Sequence, residues 1–136
     1  MQLNPYLLFN GQCEEAFKFY EQVLGGKIEA LNTRAGLPAE GGVPPEWRDK
    51  VLHAYMTIGD TVLMASDAPP GNYAQPKGMY ISIRVKETAE AERIFHALAE
   101  NGTVQMPIAE TFFSPRFGML IDQFGIPWMV NCERAA

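Results

Sequence analysis

The sequence predicts an α+β fold built from two copies of one module, each a strand, a helix and then two or three strands. Internal self-similarity is the first observation. An apolar run, Tyr6-Leu7-Leu8-Phe9, leads through Asn10-Gly11 into a helical stretch ending at Gly25-Gly26. A second run, Tyr80-Ile81-Ser82-Ile83, leads through Lys86-Glu87-Thr88 into another, ending at Asn101-Gly102. The second observation is a matching apolar stripe, with Ala16, Phe19, Tyr20 and Val23 answering Ala91, Ile94, Phe95 and Leu98. That i, i+3, i+4, i+7 spacing marks an amphipathic helix with one buried face. The third is that both halves continue into a turn and a strand.

The elements follow in order. Gly after each helix suits a left-handed C-terminal cap, and Thr88 with Glu90 and Glu92 suits a helix start. In the first half Val51 to Ile58 reads as a strand, Gly59-Asp60 as a hairpin turn, and Val62-Leu63-Met64-Ala65 as the returning strand. In the second half Gly118 to Ile121 precedes the turn around Gly125, and Trp128-Met129-Val130-Asn131 follows it. An isolated unit of this kind leaves one sheet face uncovered, so two must pack, within one chain or across a dimer.

Composition agrees with one domain over 1–136, with module 1 at about 1–67, a linker at about 68–78 and module 2 at about 79–134. A chain of 136 residues buries roughly two thirds of its unfolded surface. No apolar stretch is long enough to span a membrane, and the N-terminus lacks the basic-then-apolar pattern of a signal peptide. Cys13 and Cys132 are too few for a disulfide framework, so reduced thiols and a cytoplasmic location are expected. A net charge of -5 disfavours nucleic acid and membrane surfaces as partners and mildly favours a cationic ligand. Two Gly- and Pro-rich segments break the regularity. Thr33 to Asp49 is long for a plain connection and reads as disorder or a lid, whereas Ala68 to Gly78 falls between the halves.

The segments PYLLFNGQCEEAFKFYEQVLGG, HAYMTIGDTVLMASD, AETFF and DQFGIPWMVNCE, in that order, resemble the PhnB-like branch of the vicinal oxygen chelate superfamily. That superfamily holds glyoxalase I, extradiol dioxygenases and bleomycin resistance proteins. The resemblance covers essentially the whole chain. It implies two βαβββ modules forming a cup-shaped mixed sheet with helices on the outer face, usually in a homodimer. PhnB-like chains also carry a methyltransferase label, but no strand here leads into a glycine-rich helix entry that would cradle a nucleotide-like cofactor.

Metal enzymes of the superfamily take His, Gln or Glu ligands from four inner strands. Carried onto this chain by Phe19-Tyr20 and Gly125, those positions are Pro5, Leu63, Tyr80 and Met129. A register shifted by one gives Tyr6, Met64 or Val62, Ile81 or Met79, and Trp128 or Val130. Neither set supplies imidazole or carboxylate, so neither a metal site nor a cofactor is expected. In the first register, alternation puts Leu7, Phe9, Ala65, Asp67, Ser82 and Asn131 beside those positions. With Tyr80 and Met129 they would make an apolar cup carrying a few polar groups, the composition of a pocket for a small organic ligand. The other reading is a cup that packs shut on itself or on its partner.

His53 and Tyr80 are the candidate acid–base groups. His53 shares a strand face with Tyr55 and Thr57, and simple hairpin pairing brings it opposite Ser66. It is either a general base or a strand histidine held by a hydroxyl or carbonyl. Glu110 to Gly118 combines an acid, a base and three aromatics. Phe113 with Phe112 or Phe117 would wall the cup while Glu110 or Arg116 reads a ligand's charge; alternatively Glu110 and Arg116 pair and close the loop. Trp128 reads as core, and Cys13 as an unreactive thiol despite its place at a helix start. The expected function is metal-free small-molecule binding by a homodimer. The alternative, a metal-dependent isomerase or dioxygenase, needs an unusual ligand set such as His53, Asp67 and Glu110.

Overall fold

Alternating burial along strands such as Tyr6–Phe9 and Phe117–Ile121 and a single buried stripe on each helix define two βαβββ units. The structure is a computed structural model that describes residues 1–36, 45–69 and 71–134. It divides into two compact units, Met1–Ala74 and Gln75–Ala136. The division falls inside the Pro- and Gly-rich segment that separates the sequence repeats.

In the first unit β1 (Tyr6–Phe9) leads into α1 (Cys13–Leu24), followed by β2 (Lys27–Thr33), β3 (Val51–Ile58) and β4 (Thr61–Asp67). The sheet order is β1-β4-β3-β2, with β1 parallel to β4 and the other pairs antiparallel. Between β2 and β3 the described residues include short 3-10 turns at Arg34–Gly36 and Pro45–Trp47. Residues 37–44, the middle of the segment read as disorder or a lid, lie outside the described residues.

The second unit repeats the plan. β5 (Ile81–Val85), α2 (Thr88–Ala99), β6 (Thr103–Ala109), β7 (Phe117–Ile121) and β8 (Pro127–Cys132) form a sheet of order β5-β8-β7-β6. Again only the first and last strands, β5 and β8, run parallel. This is the α+β architecture expected, and each half has three strands after its helix.

Each helix covers one face of its own sheet. From α2, Ala91, Ile94, Phe95 and Leu98 are all buried, the stripe read from the sequence. From α1 the buried set is Cys13, Ala16, Phe17, Tyr20 and Val23. Phe17 takes the place expected of Phe19, which is half-buried, because the buried stripe starts one turn earlier at Cys13. Gly25 ends α1 in the left-handed region at φ 70°, with its N–H donated to Glu21 O at 3.1 Å. After α2 it is Asn101 that takes positive φ, at 60°. Gly102 serves a different need: a Cβ there would run into the Ile121 carbonyl oxygen at the end of β7.

The hairpins differ between units, and the difference decides which residues face where. Gly59-Asp60 closes β3–β4 as a two-residue turn, with Ile58 paired to Thr61. In the second unit Ile121 pairs with Pro127, leaving five residues in the connection. Asp122, 3% exposed, organises that turn. Its Oδ1 accepts the N–H of Phe124 at 2.8 Å and of Ile126 at 3.0 Å, and its Oδ2 accepts Trp128 Nε1–H at 2.8 Å.

Candidate functional site

With one sheet face under the helix, chemistry directed outward lies on the other face. In the second unit the register arranges that face in three rows. Pro127 and Ile121 form the first, with Tyr80 and Gln105 beside them across a recess of about 260 Å³. Ser82, Met129, Met119 and Met106 form the second. Arg84, Asn131, Phe117 and Ala109 form the third. The opposite parity, Ile81, Ile83, Trp128, Val130 and Leu120, lies towards α2.

Several expected site residues therefore do share one surface: Tyr80, Ser82, Met129 and Asn131. Tyr80 donates its hydroxyl to Gln105 Oε1 at 2.8 Å. Met129 faces Met119 across the β7–β8 pair, and both are half-buried. Asn131 is half-buried, and its Oδ1 is sealed from solvent without a hydrogen-bond partner. Buried acceptors are normally satisfied, which makes this atom the chemical outlier of the face.

The loop from Glu110 to Arg116 borders the third row. Phe113 packs edge to face on Phe117 at 5.0 Å between ring centroids and on Phe112 at 5.2 Å. Phe112 is 94% exposed and Phe113 49%. Ser114, fully buried, pins the loop: its Oγ lies 2.8 Å from both the Arg116 and Cys132 carbonyls, and its own carbonyl accepts the Thr111 N–H at 2.8 Å. Arg116 does not pair with Glu110, which is exposed. Its Nε donates to Glu92 Oε1 on α2 at 3.0 Å, because the turn at Ser114-Pro115 directs the side chain to the helix side. Ser114 and Gln105 were not among the expected site residues. A hydroxyl next to Pro in a turn is the only sequence signal for the first, and nothing local marks the second.

In the first unit the expected register is corrected. Leu7 is 8% exposed and Phe9 fully buried, with the Phe9 ring 6.4 Å from Tyr20 of α1. Leu63 and Ala65 share that helix-side face. Asp67, 1% exposed, is also there: Oδ1 accepts the Cys13 N–H at 2.9 Å and Oδ2 the Val51 N–H at 2.8 Å. The outward face instead carries Tyr6, Leu8, Met64, Ser66, Tyr55 and His53. The error is physical. Counting four residues past each hairpin glycine assumes equal turns, and the shorter first turn moves Leu63, Ala65 and Asp67 to the other face. Leu7 and Phe9 follow from the Phe19-Tyr20 alignment, and the helix repeat runs one residue out of step with the strand repeat.

His53 is half-buried, with its ring 6.3 Å from that of Tyr6. Continuing the register Ala54 to Ala65 by one residue brings His53 level with Ser66, the pairing expected. His53 and Asp67 thus lie on opposite faces of one sheet and cannot share an ion. Among the described residues no three His, Cys, Asp or Glu side chains come together as metal ligands. The described donors on the two outward faces are phenols, thioethers, hydroxyls, amides and a single imidazole, His53. One imidazole without a second imidazole or carboxylate beside it does not make a site for the superfamily's hard or borderline divalent ions.

A cleft of about 410 Å³ at the start of α1 includes Glu14, Lys18, Asp49, Lys50 and Asp67. Its cations are engaged locally: Lys18 Nζ with Glu14 Oε2 at 2.7 Å and Lys50 Nζ with the Gly11 carbonyl at 3.1 Å. Burial pushes the Cys13 thiol beside it far up, with the Asp67 and Glu14 charges adding in the same direction. A thiol held protonated in this way is no nucleophile.

A repeated βαβββ plan with helix-covered sheets and open opposite faces defines a class, and the comparisons agree with it. The chain belongs to the Glyoxalase/Bleomycin resistance protein/Dioxygenase superfamily, which matches residues 2–130. It is 32% identical to Protein YjdN of Escherichia coli (strain K12) over 142 residues, covering 96% of this chain and 95% of the relative. It is 49% identical to the solved structure of protein PA1353 from Pseudomonas aeruginosa, with a TM-score of 0.88 and 99% of each chain covered. It is 26% identical to the PhnB protein from Bacillus cereus, with a TM-score of 0.81 and coverage of 97% of this chain and 99% of that one. No helix among the described residues is long and apolar enough to cross a membrane.

Proposed function

We propose that this protein binds a small organic molecule on its outward sheet faces, works as a homodimer in the cytoplasm, and needs no resident metal. The observation that carries this reading is the three-row face of the second unit: thioethers and aromatics in the body, with the Tyr80–Gln105 pair, Ser82, Arg84 and Asn131 as its polar groups. Ligand sites typically pair an apolar lining with a few orienting polar groups. Met106 on this face and Phe112 and Phe113 in the loop beside it stand exposed, an apolar surface that a second copy of the chain would cover, which supports self-association. Two buried thiols and no disulfide suit a reducing compartment. The family includes bleomycin resistance proteins, so sequestration of a cationic, amphiphilic drug is a concrete form of this activity.

The test is a melting screen of the purified protein against aromatic and cationic amphiphiles, together with its molar mass in solution. Binding predicts a dimer and ligand-dependent stabilisation that grows with concentration. Metal analysis of untagged protein purified without chelator, followed by titration with Ni, Zn, Mn and Fe(II), tests the metal clause. One ion per protomer with thermal stabilisation would overturn it.

A further inference from the structure

The chain carries two Asn-Gly pairs, Asn10-Gly11 after β1 and Asn101-Gly102 after α2. In an Asn-Gly pair the side-chain amide is open to attack by the next backbone nitrogen, because glycine puts no Cβ in the way. Both asparagines are exposed, so exposure does not separate them. The backbone does. Gly102 donates its N–H to the Ala99 carbonyl at 2.9 Å, and Asn101 is held in the left-handed region at φ 60°. Gly102 is also pressed on the end of β7, where a Cβ would stand 3.0 Å from Asp122 Cα. Asn10, by contrast, lies in a bend between β1 and α1, and the Gly11 N–H has no hydrogen-bond acceptor among the described residues. On the far side of the same residue, Lys50 Nζ holds the Gly11 carbonyl at 3.1 Å.

We infer that Asn10 is a site of spontaneous deamidation and isoaspartate formation, and that the fold protects Asn101 from the same reaction. The Gly11 nitrogen gives its proton to solvent and attacks Asn10 Cγ. The new N–C bond closes a cyclic imide, and the side-chain nitrogen takes a proton and leaves as ammonia. Water then adds to one of the two imide carbonyls. Breaking the bond to Cγ gives aspartate, and breaking the bond to the main-chain carbon gives isoaspartate. The sum is one water consumed and one ammonia released, with no change of oxidation state. At Gly102 the first step requires breaking the hydrogen bond to Ala99, whereas at Gly11 nothing has to be broken. The product places a new carboxylate beside Lys50, and the isoaspartate form adds a methylene to the backbone joining β1 to α1.

The test incubates the full-length protein in mildly alkaline buffer, folded and in guanidinium chloride, and follows both sites by peptide mapping with mass spectrometry. In the folded protein Asn10 should convert at least about fivefold faster than Asn101, the worth of the one hydrogen bond that Gly102 has and Gly11 lacks. In guanidinium chloride neither N–H is held and the two rates should converge. Asn10→Gln should abolish the first product and leave the Asn101 rate unchanged. Conversion of Asn101 as fast as Asn10 in the folded protein overturns the inference. An Asn10 that is stable when folded and reacts only in denaturant also overturns it, and would show that the bend after β1, or a second copy over it, shields the amide. A preference for Asn10 that persists undiminished in denaturant overturns the protection by the fold, because the flanking residues would then set the rates.

Discussion

The Asp67 carboxylate, at the end of β4, caps helix α1 through the backbone N–H of Cys13, 54 residues earlier in the chain, at 2.9 Å. The residue before the helix, Gln12, supplies no side-chain cap, so a strand carboxylate does the work normally done locally. Its second oxygen holds the Val51 N–H at the start of β3. Asp67 thus ties the first helix to two strands.

Replacing Asp67 by Ala should lower stability by about 2–4 kcal/mol, since two buried N–H groups lose their acceptor. Asp67→Asn should recover little, because the amide can turn only one oxygen to two donors. Urea unfolding measures both. A cost below about 0.5 kcal/mol for the alanine variant would show that water replaces the carboxylate and that the helix does not depend on it.

Cys13 yields a pH prediction. Burial raises its thiol above the ordinary 9.0, so the folded state keeps a proton that the unfolded chain releases. Its contribution to stability is whole below pH 9.0 and falls as the pH rises past that value towards the folded-state pKa. The slope is about 1.4 kcal/mol per pH unit. The native protein should therefore lose stability above pH 9.0 more steeply than Cys13→Ala does. Thiol reagents at pH 8 should label neither buried cysteine until the protein unfolds, and rapid native labelling of Cys13 would contradict the burial.

Gly118 allows β7 to lie close under α2. A Cβ at this position would stand 2.6 Å from Phe95 Cε2 and 3.0 Å from Ile108 Cα. Gly118→Ala should cost about 1–3 kcal/mol through overpacking. Phe95→Leu removes the ring but not the backbone contact. The double variant should therefore be less destabilised than the sum of the singles, by about 0.5 kcal/mol or more. Strict additivity in a double-mutant cycle would mean that the ring already moves aside freely.

The repeat and the α2 stripe were legible in the sequence because they rest on local periodicity: Ala91, Ile94, Phe95 and Leu98 are all buried where the spacing puts them. The outward face of the second unit was legible for the same reason, since alternation through Ser82, Met129 and Asn131 needs no knowledge of the turn. The first unit's face was not. Strand period two carries no memory of which side is which: the two-residue turn at Gly59-Asp60 against five residues before Pro127 inverts the assignment of Asp67, and the one-residue offset between the helix and strand repeats inverts that of Leu7 and Phe9. Partners distant in sequence were hidden as well. Arg116 with Glu92 and Asp67 with Cys13 depend on where the chain returns, which no local pattern records.

Ser114 connects the loop to the proposed ligand face without belonging to that face. Fully buried, its hydroxyl holds the carbonyls of Arg116 and Cys132, and it directly follows Phe113. Ser114→Ala removes that tie and should cost about 1–3 kcal/mol of stability. The Glu92–Arg116 pair is partly exposed, so Glu92→Gln should cost no more than about 1 kcal/mol. The two variants should separate further in binding. Freeing the loop lets Phe113 leave its edge-to-face position on Phe117, so Ser114→Ala should weaken an aromatic ligand found in the melting screen by about three- to tenfold, the value of one aromatic contact. Glu92→Gln, which leaves Ser114 in place, should bind normally. Calorimetry on variants with native circular dichroism decides the matter: an unchanged affinity in Ser114→Ala would show that the ligand does not rest on Phe113, and would move the site towards Met129 and the Tyr80 recess.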